Sequence, residues 1–192
     1  MNKKIMRNDM LAVLNKMEKT EHEQLSCKIT ERIITSKEFK NAETIGITIS
    51  RFPEVDTRAI IEAAWALNKK IAVPKCLPET RDMDFRNILS FNNLEIVYDR
   101  LLEPIINKTE SVPKESIDLQ IVPGVVYTTR GYRIGFGGGY YDRYIKNFKG
   151  ISISLAFECQ ITSGVPAENH DIPVAQIFTE KRQIICTKVD NL

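Results

Sequence analysis

The fold class follows from residues 44–74, which read TIGITISRFPEVDTRAIIEAAWALNKKIAVP. Three isoleucines at the start of this stretch alternate with smaller or polar residues, which predicts a β-strand; they are Ile45, Ile47 and Ile49. Asp56 or Thr57 can cap a following helix, whose predicted buried side carries Ile60, Ile61, Ala64 and Leu67. The apolar run at 71–74 predicts a second strand. A strand–helix–strand unit of this kind indicates an α/β protein with a mostly parallel sheet.

The chain on both sides of this unit supplies further elements. Apolar residues at helical spacing predict a first helix; they are Met6, Met10, Val13, Leu14 and Met17. Thr20 and Glu23 have the spacing of a capping box and predict the start of a second helix, which carries Leu25, Ile29 and Ile33. Beyond the unit, strands are expected near 83–88, 95–98, 117–122, 152–157 and 183–187, the third of them a central parallel strand.

Length and composition describe one globular domain spanning residues 1–192. The chain is 43% hydrophobic and 27% charged, a balance that excludes a disordered protein. No apolar run approaches the ~20 residues of a membrane span, and the amino terminus lacks the apolar segment of a signal peptide. A cytoplasmic protein is therefore expected. The net charge of +2 does not indicate a nucleic-acid coat.

The four cysteines show no metal-binding spacing. Without a CxxC or CxxH pair, neither a zinc site nor a disulfide framework is predicted. They are instead expected to be buried, inert thiols.

The chemistry is concentrated in residues 121–145, IVPGVVYTTRGYRIGFGGGYYDRYI, because six of the nine glycines lie here. A strand is expected to end at Val122, and the run at 135–139 leads into a helix predicted to begin near Tyr140. Glycines let backbone N–H groups converge on a ligand, and Arg133 and Arg143 flank the run, so the segment suits a polyphosphate.

The same run matches neither of the two familiar phosphate-binding motifs. A Walker loop would need GK[ST], and a dinucleotide fingerprint would need glycine at Tyr140. A flexible turn is the alternative interpretation. Tyr140, Tyr141 and Asp142 favour a ligand site, since aromatic rings can stack on a ligand and a carboxylate can hold Mg²⁺.

Three further places carry candidate residues, each with a plainer alternative. Lys3 and Arg7 share a helical face and could reach a phosphate, or they form a solvated basic end. Glu54, beside the apolar Ile49, follows a strand where α/β proteins bind ligands, or it is a surface carboxylate. The turn AENHD at 167–171 holds His170, for which a structural role is favoured, and Asp171, a second possible metal carboxylate.

These segments together resemble the 5-formyltetrahydrofolate cyclo-ligase family, also called 5,10-methenyltetrahydrofolate synthetases. PGVVYTTRGYRIGFGGGYYDRY at 123–144 is similar to the family signature. The pattern K-x-x-x-R at Lys3 and Arg7, E-x-[DE]-T beginning at Glu54, and VPAENHD at 165–171 fit in order, so the match spans almost the whole chain. One position departs from the pattern: Thr128 stands where the family commonly has an acidic residue.

The resemblance implies a three-layer αβα sandwich with a mostly parallel, Rossmann-like sheet. It also implies ATP-dependent ring closure of 5-formyltetrahydrofolate to 5,10-methenyltetrahydrofolate, with Mg²⁺ present and ADP and phosphate released. No obligatory protein partner, nucleic acid or membrane is implied. The competing interpretations are another phosphate-handling α/β enzyme and an RNA-binding module that uses the arginines and tyrosines of 130–141.

The residues that the resemblance implies fall into three groups. The ATP site would comprise Lys3, Arg7, Arg133, Ile134, Gly135, Phe136, Gly137, Gly138, Gly139, Tyr140 and Tyr141. The folate contacts would be Ile49, Glu54 and Tyr141, with Arg133 and Tyr141 nearest the reaction. The Mg²⁺ ligands would be Asp142 and Asp171.

Overall fold

The computed structural model describes residues 2–98 and 101–186. Its helices are α1 (Lys3–Leu14), α2 (Lys19–Thr35), α3 (Lys37–Asn41), α4 (Arg58–Ala66) and α5 (Tyr140–Tyr144). Its strands are β1 (Thr44–Gly46), β2 (Lys70–Leu77), β3 (Asp82–Ile88), β4 (Leu94–Ile96), β5 (Leu102–Pro104), β6 (Glu110–Ser111), β7 (Leu119–Ile121), β8 (Val126–Thr128), β9 (Arg133–Ile134), β10 (Ile151–Leu155), β11 (Ile161–Thr162), β12 (Gln176–Phe178) and β13 (Gln183–Ile185).

The main sheet has eight strands in the order β13-β12-β10-β7-β1-β2-β3-β6. Strands β12, β10, β7, β1 and β2 run parallel to one another, and the outer strands on both sides pair antiparallel. From β1 the chain crosses over to β2 on one side, whereas from β7 it crosses to β10 on the other. The crevice between β1 and β7 is therefore a point where the strand order reverses, the usual place for a ligand site in an open α/β sheet.

The two faces of this sheet are covered differently. Helices α1 to α4 pack one face and share a large core with the inward isoleucines of β1, β2, β7 and β10. The opposite face is covered by the five-residue helix α5 and the small sheet β11-β8-β9, with their own clusters of buried side chains. The expected α/β class with a mostly parallel sheet is confirmed, with the second helical layer reduced to one short helix.

One helix start and one strand differ from the sequence prediction. Helix α2 begins at Lys19 after Glu18, so Thr20 lies inside the helix and the predicted capping box does not cap it. Strand β1 ends at Gly46 because the main chain of Thr48 and Ser50 bonds instead to the hydroxyl of Thr57. The TIGITIS segment thus leaves the sheet halfway and turns towards its carboxyl edge.

Some side chains predicted to be buried are exposed. Leu67 is 58% exposed because it caps the end of α4, and Val13 is 53% exposed on the outer face of α1. Of the cysteines, Cys27 and Cys159 are exposed, Cys76 is half-buried and Cys186 is buried, so the expectation of four buried thiols is met by Cys186 alone. No helix in the described part of the chain has both the length and the apolar character needed to cross a membrane.

Candidate active site

A small cavity lies at the carboxyl ends of β1, β7 and β10, in the crevice where the strand order reverses. It is lined by residues that follow these three strands: Thr48, Ser50, Glu54, Val55, Thr57, Ile121, Val122, Pro123, Gly124, Tyr127, Leu155 and Gln160. Its volume of about 30 Å³ holds little more than a water molecule. The fold therefore brings Glu54 and the turn at Pro123 and Gly124, after β7, to the same cavity.

Glu54 is the ionisable side chain of this cavity. Burial raises its pKa from 4.5 to about 7, although the charge of Arg51 and a backbone hydrogen bond act in the opposite direction. Near neutral pH the carboxyl group is therefore divided between its neutral and charged forms. The apolar wall beside it comes from Val55, Ile121 and Leu155, whereas Ile49 is only 5% exposed and packs in the main core.

Tyr127 is the aromatic side chain of this cavity. It is fully buried, lines the cavity, and donates to the carbonyl of Leu155 at 3.4 Å.

Tyr141 lies in the helix that follows the glycine run. Its hydroxyl is buried and has no hydrogen-bond partner among the described residues. Burial raises the pKa of Tyr141 well above its ordinary value, and the negative charges of Cys76, Tyr144 and Glu54 add to this. Tyr141 therefore carries a buried hydroxyl that is free to bond to a ligand.

The glycine loop, residues 135–139, connects β9 to α5. Gly137 and Gly139 have φ of 105° and 67°, values that side-chain-bearing residues rarely adopt. Arg7 lies against the loop, because its Nη1 donates to the carbonyl of Gly135 at 3.3 Å. A Cβ at Gly137 would come within 3.3 Å of the same nitrogen. Glycine is required here by both backbone conformation and space.

Helix α1 brings Lys3 and Arg7 to the loop although more than 120 residues separate them in the chain. Asn2 caps the helix by accepting from the backbone N–H of Lys4 at 2.8 Å. Met6 is buried and packs against Val125, Val126 and Ile134 of the small sheet. This packing fixes the helix so that Arg7 reaches the glycine loop and Lys3, one turn earlier, reaches the turn at 167–171.

Lys3 is paired with the turn at 167–171. Its Nζ lies 2.7 Å from Oδ2 of Asp171 and 3.6 Å from Glu168. Burial raises the pKa of Asp171, but the hydrogen bonds from Lys3 and from the backbone of Glu168, with the charge of Lys3, outweigh it, so the pKa lies below its ordinary value. His170 lies at the surface, with its Nε2 3.3 Å from Glu168.

Arg133 connects the loop to the same turn from the inside. It is 7% exposed; its Nη2 donates to Asp142 at 3.1 Å and its Nη1 to the carbonyl of Ile172 at 2.7 Å. Asp142 also accepts from the backbone N–H of Ile172 at 3.2 Å, so it reaches the residue next to Asp171. The two predicted metal carboxylates therefore lie on adjoining segments held together by Arg133.

The remaining predicted residues differ in accessibility. Ile134 is buried, whereas Phe136 is 45% exposed. Arg143 turns back and donates to the carbonyl of Gly139 at 3.1 Å. An RNA-binding surface would need Arg133 to be accessible for charge contacts, and it is buried, which argues against that alternative.

The sequence profile of the 5-formyltetrahydrofolate cyclo-ligase family matches residues 1–180. The chain belongs to this family. Enzymes of the family catalyse the ATP-dependent cyclisation of 5-formyltetrahydrofolate.

Individual cyclo-ligases are similar to the chain over most of their length. The 5-formyltetrahydrofolate cyclo-ligase of Haemophilus influenzae is 28% identical over 159 residues, which cover 81% of this chain and 85% of that protein. That of Escherichia coli K12 is 28% identical over 170 residues, covering 84% and 91%. The NMR structure of Aquifex aeolicus 5,10-methenyltetrahydrofolate synthetase superposes with a TM-score of 0.86 at 29% identity, covering 100% of this chain and 96% of that one.

The carboxylates of this cyclo-ligase fold have the oxygens that a Mg²⁺ site would need. Oδ1 of Asp142 and Oδ2 of Asp171 each accept two hydrogen bonds, while among the described residues Oδ2 of Asp142 and Oδ1 of Asp171 accept none. Mg²⁺ is commonly held by one or two carboxylates together with phosphate oxygens and water. This pair fits such an ion when the nucleotide supplies the remaining ligands.

Sequence reasoning missed several cavity residues of this cyclo-ligase. Tyr127 carries no signal beyond its place in the segment 121–145, and Gln160 and Thr57 carry no catalytic signal. Gly124 did carry one: a Cβ there would lie 2.9 Å from the Tyr127 ring, so the PG pair marks a close approach to the cavity. Thr128 is 2% exposed, and its N–H and carbonyl bond to Tyr132 and Gly131, so it forms the turn between β8 and β9.

Proposed function

We propose that this chain converts 5-formyltetrahydrofolate and ATP into 5,10-methenyltetrahydrofolate, ADP and phosphate, with the nucleotide on the glycine loop and the folate at the Glu54 cavity. The observation that carries this proposal is the meeting of two unlike surfaces at one edge of the sheet. One is a glycine loop contacted by Arg7, with Lys3 of the same helix paired to the turn at 167–171, and it suits phosphates. The other is a cavity with an apolar wall and a single carboxyl group, which suits a flat, donor-rich ring.

The nucleotide side is supported by the donors that remain available on α1. The Arg7 guanidinium has five N–H donors, and the loop carbonyl of Gly135 takes one. Lys3 has three donors on its ammonium group and could exchange one carboxylate partner for a phosphate oxygen. Arg133 is buried, so its role would be to hold Asp142 and the loop in place and to contribute positive charge in a low-dielectric site, where that charge acts more strongly.

Asp142 and Asp171 are the residues proposed to hold Mg²⁺ with the nucleotide. When bound, the ion would neutralise charge on the transferred phosphoryl group. Replacing either aspartate by asparagine should raise the Mg²⁺ concentration for half-maximal rate by about tenfold, since the loss of one charged ligand is worth roughly 1.4 kcal/mol. An unchanged Mg²⁺ dependence in both variants would remove these residues from the metal site.

The chemistry needs positioning more than a protein nucleophile. The formyl oxygen attacks the γ-phosphorus of ATP, so an O–P bond forms and the bond to ADP breaks. N10 then attacks the activated formyl carbon and loses its proton, and the C–O bond breaks to release phosphate. Holding the formyl oxygen, the γ-phosphate and N10 in line supplies most of the acceleration in such reactions. The proposed roles of Glu54 and Tyr141 are to hold the pterin and the reacting end of the folate.

Folate binding should also change the protonation of Glu54. The bound pterin would bring its N–H donors to the carboxyl group, whose pKa is raised by burial in the free chain. Charge-assisted hydrogen bonds favour the ionised form, so folate binding should lower the pKa of Glu54 from about 7.

The direct test is absorbance in the band of the methenyl product after mixing the protein, Mg-ATP and 5-formyltetrahydrofolate. We expect one ADP for each product formed, and no product when ATP is omitted. ATP hydrolysis without product, or product without ATP, would contradict the proposal. A sugar-phosphate isomerase or CoA transferase, the competing enzyme classes, would give neither signal.

A further inference from the structure

We propose that His22 is a positioning residue for Glu54, holding the backbone at Glu54 so that its carboxyl group faces the cavity. The inference rests on the proposed function, because it concerns the carboxyl group assigned to the folate. It adds a residue that lies in α2, outside every motif of the sequence. His22 is 8% exposed, and its Nε2 lies 2.7 Å from the carbonyl oxygen of Glu54.

The chemistry of this contact fixes the state of the imidazole. A carbonyl oxygen can only accept, so Nε2 of His22 must carry the proton. This holds both in the neutral ring with the proton on Nε2 and in the imidazolium, so the bond survives a change of protonation. The contact therefore acts as a permanent restraint on the Glu54 peptide group and not as a proton shuttle.

Two phenylalanine rings enclose the imidazole. The ring centroid of Phe52 lies 5.1 Å from that of His22, and that of Phe157 lies 5.3 Å away. Phe52 precedes Glu54 by two residues, whereas Phe157 follows β10, whose last residue, Leu155, lines the cavity. His22 thus packs between the segment that carries Glu54 and the chain that follows β10.

A second contact from the same helix restrains the same segment. Ser26, one turn after His22, accepts from the backbone N–H of Asp56 at 3.2 Å. On the inner side, Ser50 and Thr57 exchange two hydrogen bonds of 2.9 and 3.0 Å that close the base of the turn. The turn that carries Glu54 is therefore held at its base by the bonds between Ser50 and Thr57, and at its tip, residues 54–56, by the two contacts from α2. Loss of the His22 bond removes the restraint on the Glu54 peptide group itself, while the contacts of Ser26, Ser50 and Thr57 remain.

The test compares three substitutions at one position. His22→Gln places an amide N–H where Nε2 was; His22→Asn carries the same amide on a shorter side chain that does not reach Glu54; His22→Leu removes the donor. We expect Asn and Leu to raise KM for 5-formyltetrahydrofolate about tenfold, since the loss of one well-placed bond is worth about that factor. KM for ATP should stay constant, and Gln should recover most of the loss.

A purely structural role gives a different pattern. In that case all three variants lower the melting temperature while both KM values of the folded protein stay at the wild-type level, and this result would overturn the inference. If His22→Leu does not fold, the comparison of Gln with Asn still decides. Ser26→Ala is the matched control: it removes the other tip contact, two residues further from Glu54, and should have a smaller effect on folate KM than His22→Asn.

A second measurement separates this inference from the proposed function. The Glu54 carboxyl titration can be followed by side-chain carbon NMR without any substrate. We expect the wild-type midpoint near pH 7 to move towards 4.5 in His22→Asn, because a freed turn lets water reach the carboxyl group. If the midpoint moves but wild type makes no methenyl product, the positioning role stands and the function fails. An unmoved midpoint with unchanged folate KM overturns the positioning role.

Discussion

The two halves of the candidate site avoid unpaired buried charge in opposite ways. In the nucleotide half, three cations have partners in other segments: Lys3 with Asp171, Arg133 with Asp142, and Arg7 with the carbonyl of Gly135. In the folate half, the charge of Arg51 favours the ionised form of Glu54, but burial outweighs it and raises the pKa to about 7. One half pairs its charges and the other tends to neutralise its charge by taking up a proton.

This difference follows from the cost of an unpaired buried charge. An isolated ion in a protein interior costs several kcal/mol, which pairing or neutralisation avoids. The nucleotide half must present positive charge to phosphate, so pairing is the only option that keeps the charge. The folate half must accept hydrogen bonds from a neutral ring, so a carboxyl group that ionises on binding serves equally well. The comparison predicts that substitutions in the two halves have separable effects.

The largest effect is expected from Arg133→Ala in the nucleotide half. Removing one member of a buried pair leaves Asp142 without its cation, which costs about 3 kcal/mol of folding stability. Arg133 also joins the chain after the glycine loop to the segment at Ile172, and the variant loses this link. The kcat/KM for ATP should therefore fall by a factor on the order of 100 to 1000. Steady-state kinetics at a temperature where the variant remains folded measure this.

Arg143→Ala is the matched control for that change. Arg143 also bonds to the loop, through the carbonyl of Gly139, but from the solvent side. Its removal should change kcat/KM for ATP by less than about threefold, since exposed contacts contribute little. Equal losses in both variants would mean that burial of Arg133 has no special importance.

The next effect concerns the stability of the folate half as pH changes. The pKa of Glu54 is about 7 in the folded chain and near 4.5 when unfolded, so between these values the folded state binds more protons. The stabilisation from neutral Glu54 is complete below pH 4.5 and is lost as pH rises through 7. Glu54→Gln should remove this dependence and gain up to roughly 3 kcal/mol over wild type at pH 8, since one pKa unit is about 1.4 kcal/mol. Urea unfolding at pH 5 and pH 8 tests it; parallel pH profiles would refute it.

The same substitution should separate the two substrates. Glutamine keeps the shape of Glu54 but replaces one acceptor oxygen by a donor, so kcat/KM for 5-formyltetrahydrofolate should fall about 10- to 100-fold. KM for ATP should stay within about twofold, because the proposal places Glu54 at the folate and not at the nucleotide. Loss of ATP binding with folate binding retained would mean that the two halves are assigned the wrong way round.

Local sequence patterns predicted the nucleotide half of the candidate site better than the folate half. The glycine run, the short helix after it and the shared face of Lys3 and Arg7 are all visible within a few residues, because they depend on backbone freedom and helical spacing. Local sequence patterns do not reveal the cavity of the folate half. It depends on Tyr127 packing against Gly124 and on His22 reaching Glu54 across 32 positions, and such contacts are selected by tertiary packing.

The fold shows the same division. The strand–helix–strand unit was predicted because hydrophobic period and capping agree over 44–74. The capping box at Thr20 was not realised, since the helix gained an earlier start at Lys19. The strand predicted over TIGITIS shortened to Thr44–Gly46 because Thr57 supplies the hydrogen bonds that a neighbouring strand would have made. A side chain nine residues away that bonds to the strand's backbone, as Thr57 does to Thr48, cannot be recognised from a local sequence pattern.

The smallest effect, and the sharpest test of the nucleotide half, compares two glycines of one loop. Gly137 has φ of 105°, and a Cβ there would lie 3.3 Å from Nη1 of Arg7, whereas nothing lies within 4 Å of a Cβ at Gly135. Gly137→Ala therefore strains the backbone by about 1 kcal/mol and pushes the guanidinium away, which should raise KM for ATP about fivefold. Gly135→Ala should leave it unchanged, because its Cβ meets open space. Calorimetric ATP titration of both variants supplies the measurement. If both variants bind ATP with the same affinity, the loop conformation is irrelevant to the nucleotide. If only Gly135→Ala loses ATP affinity, ATP occupies the open space beside Gly135 and not the surface shared with Arg7.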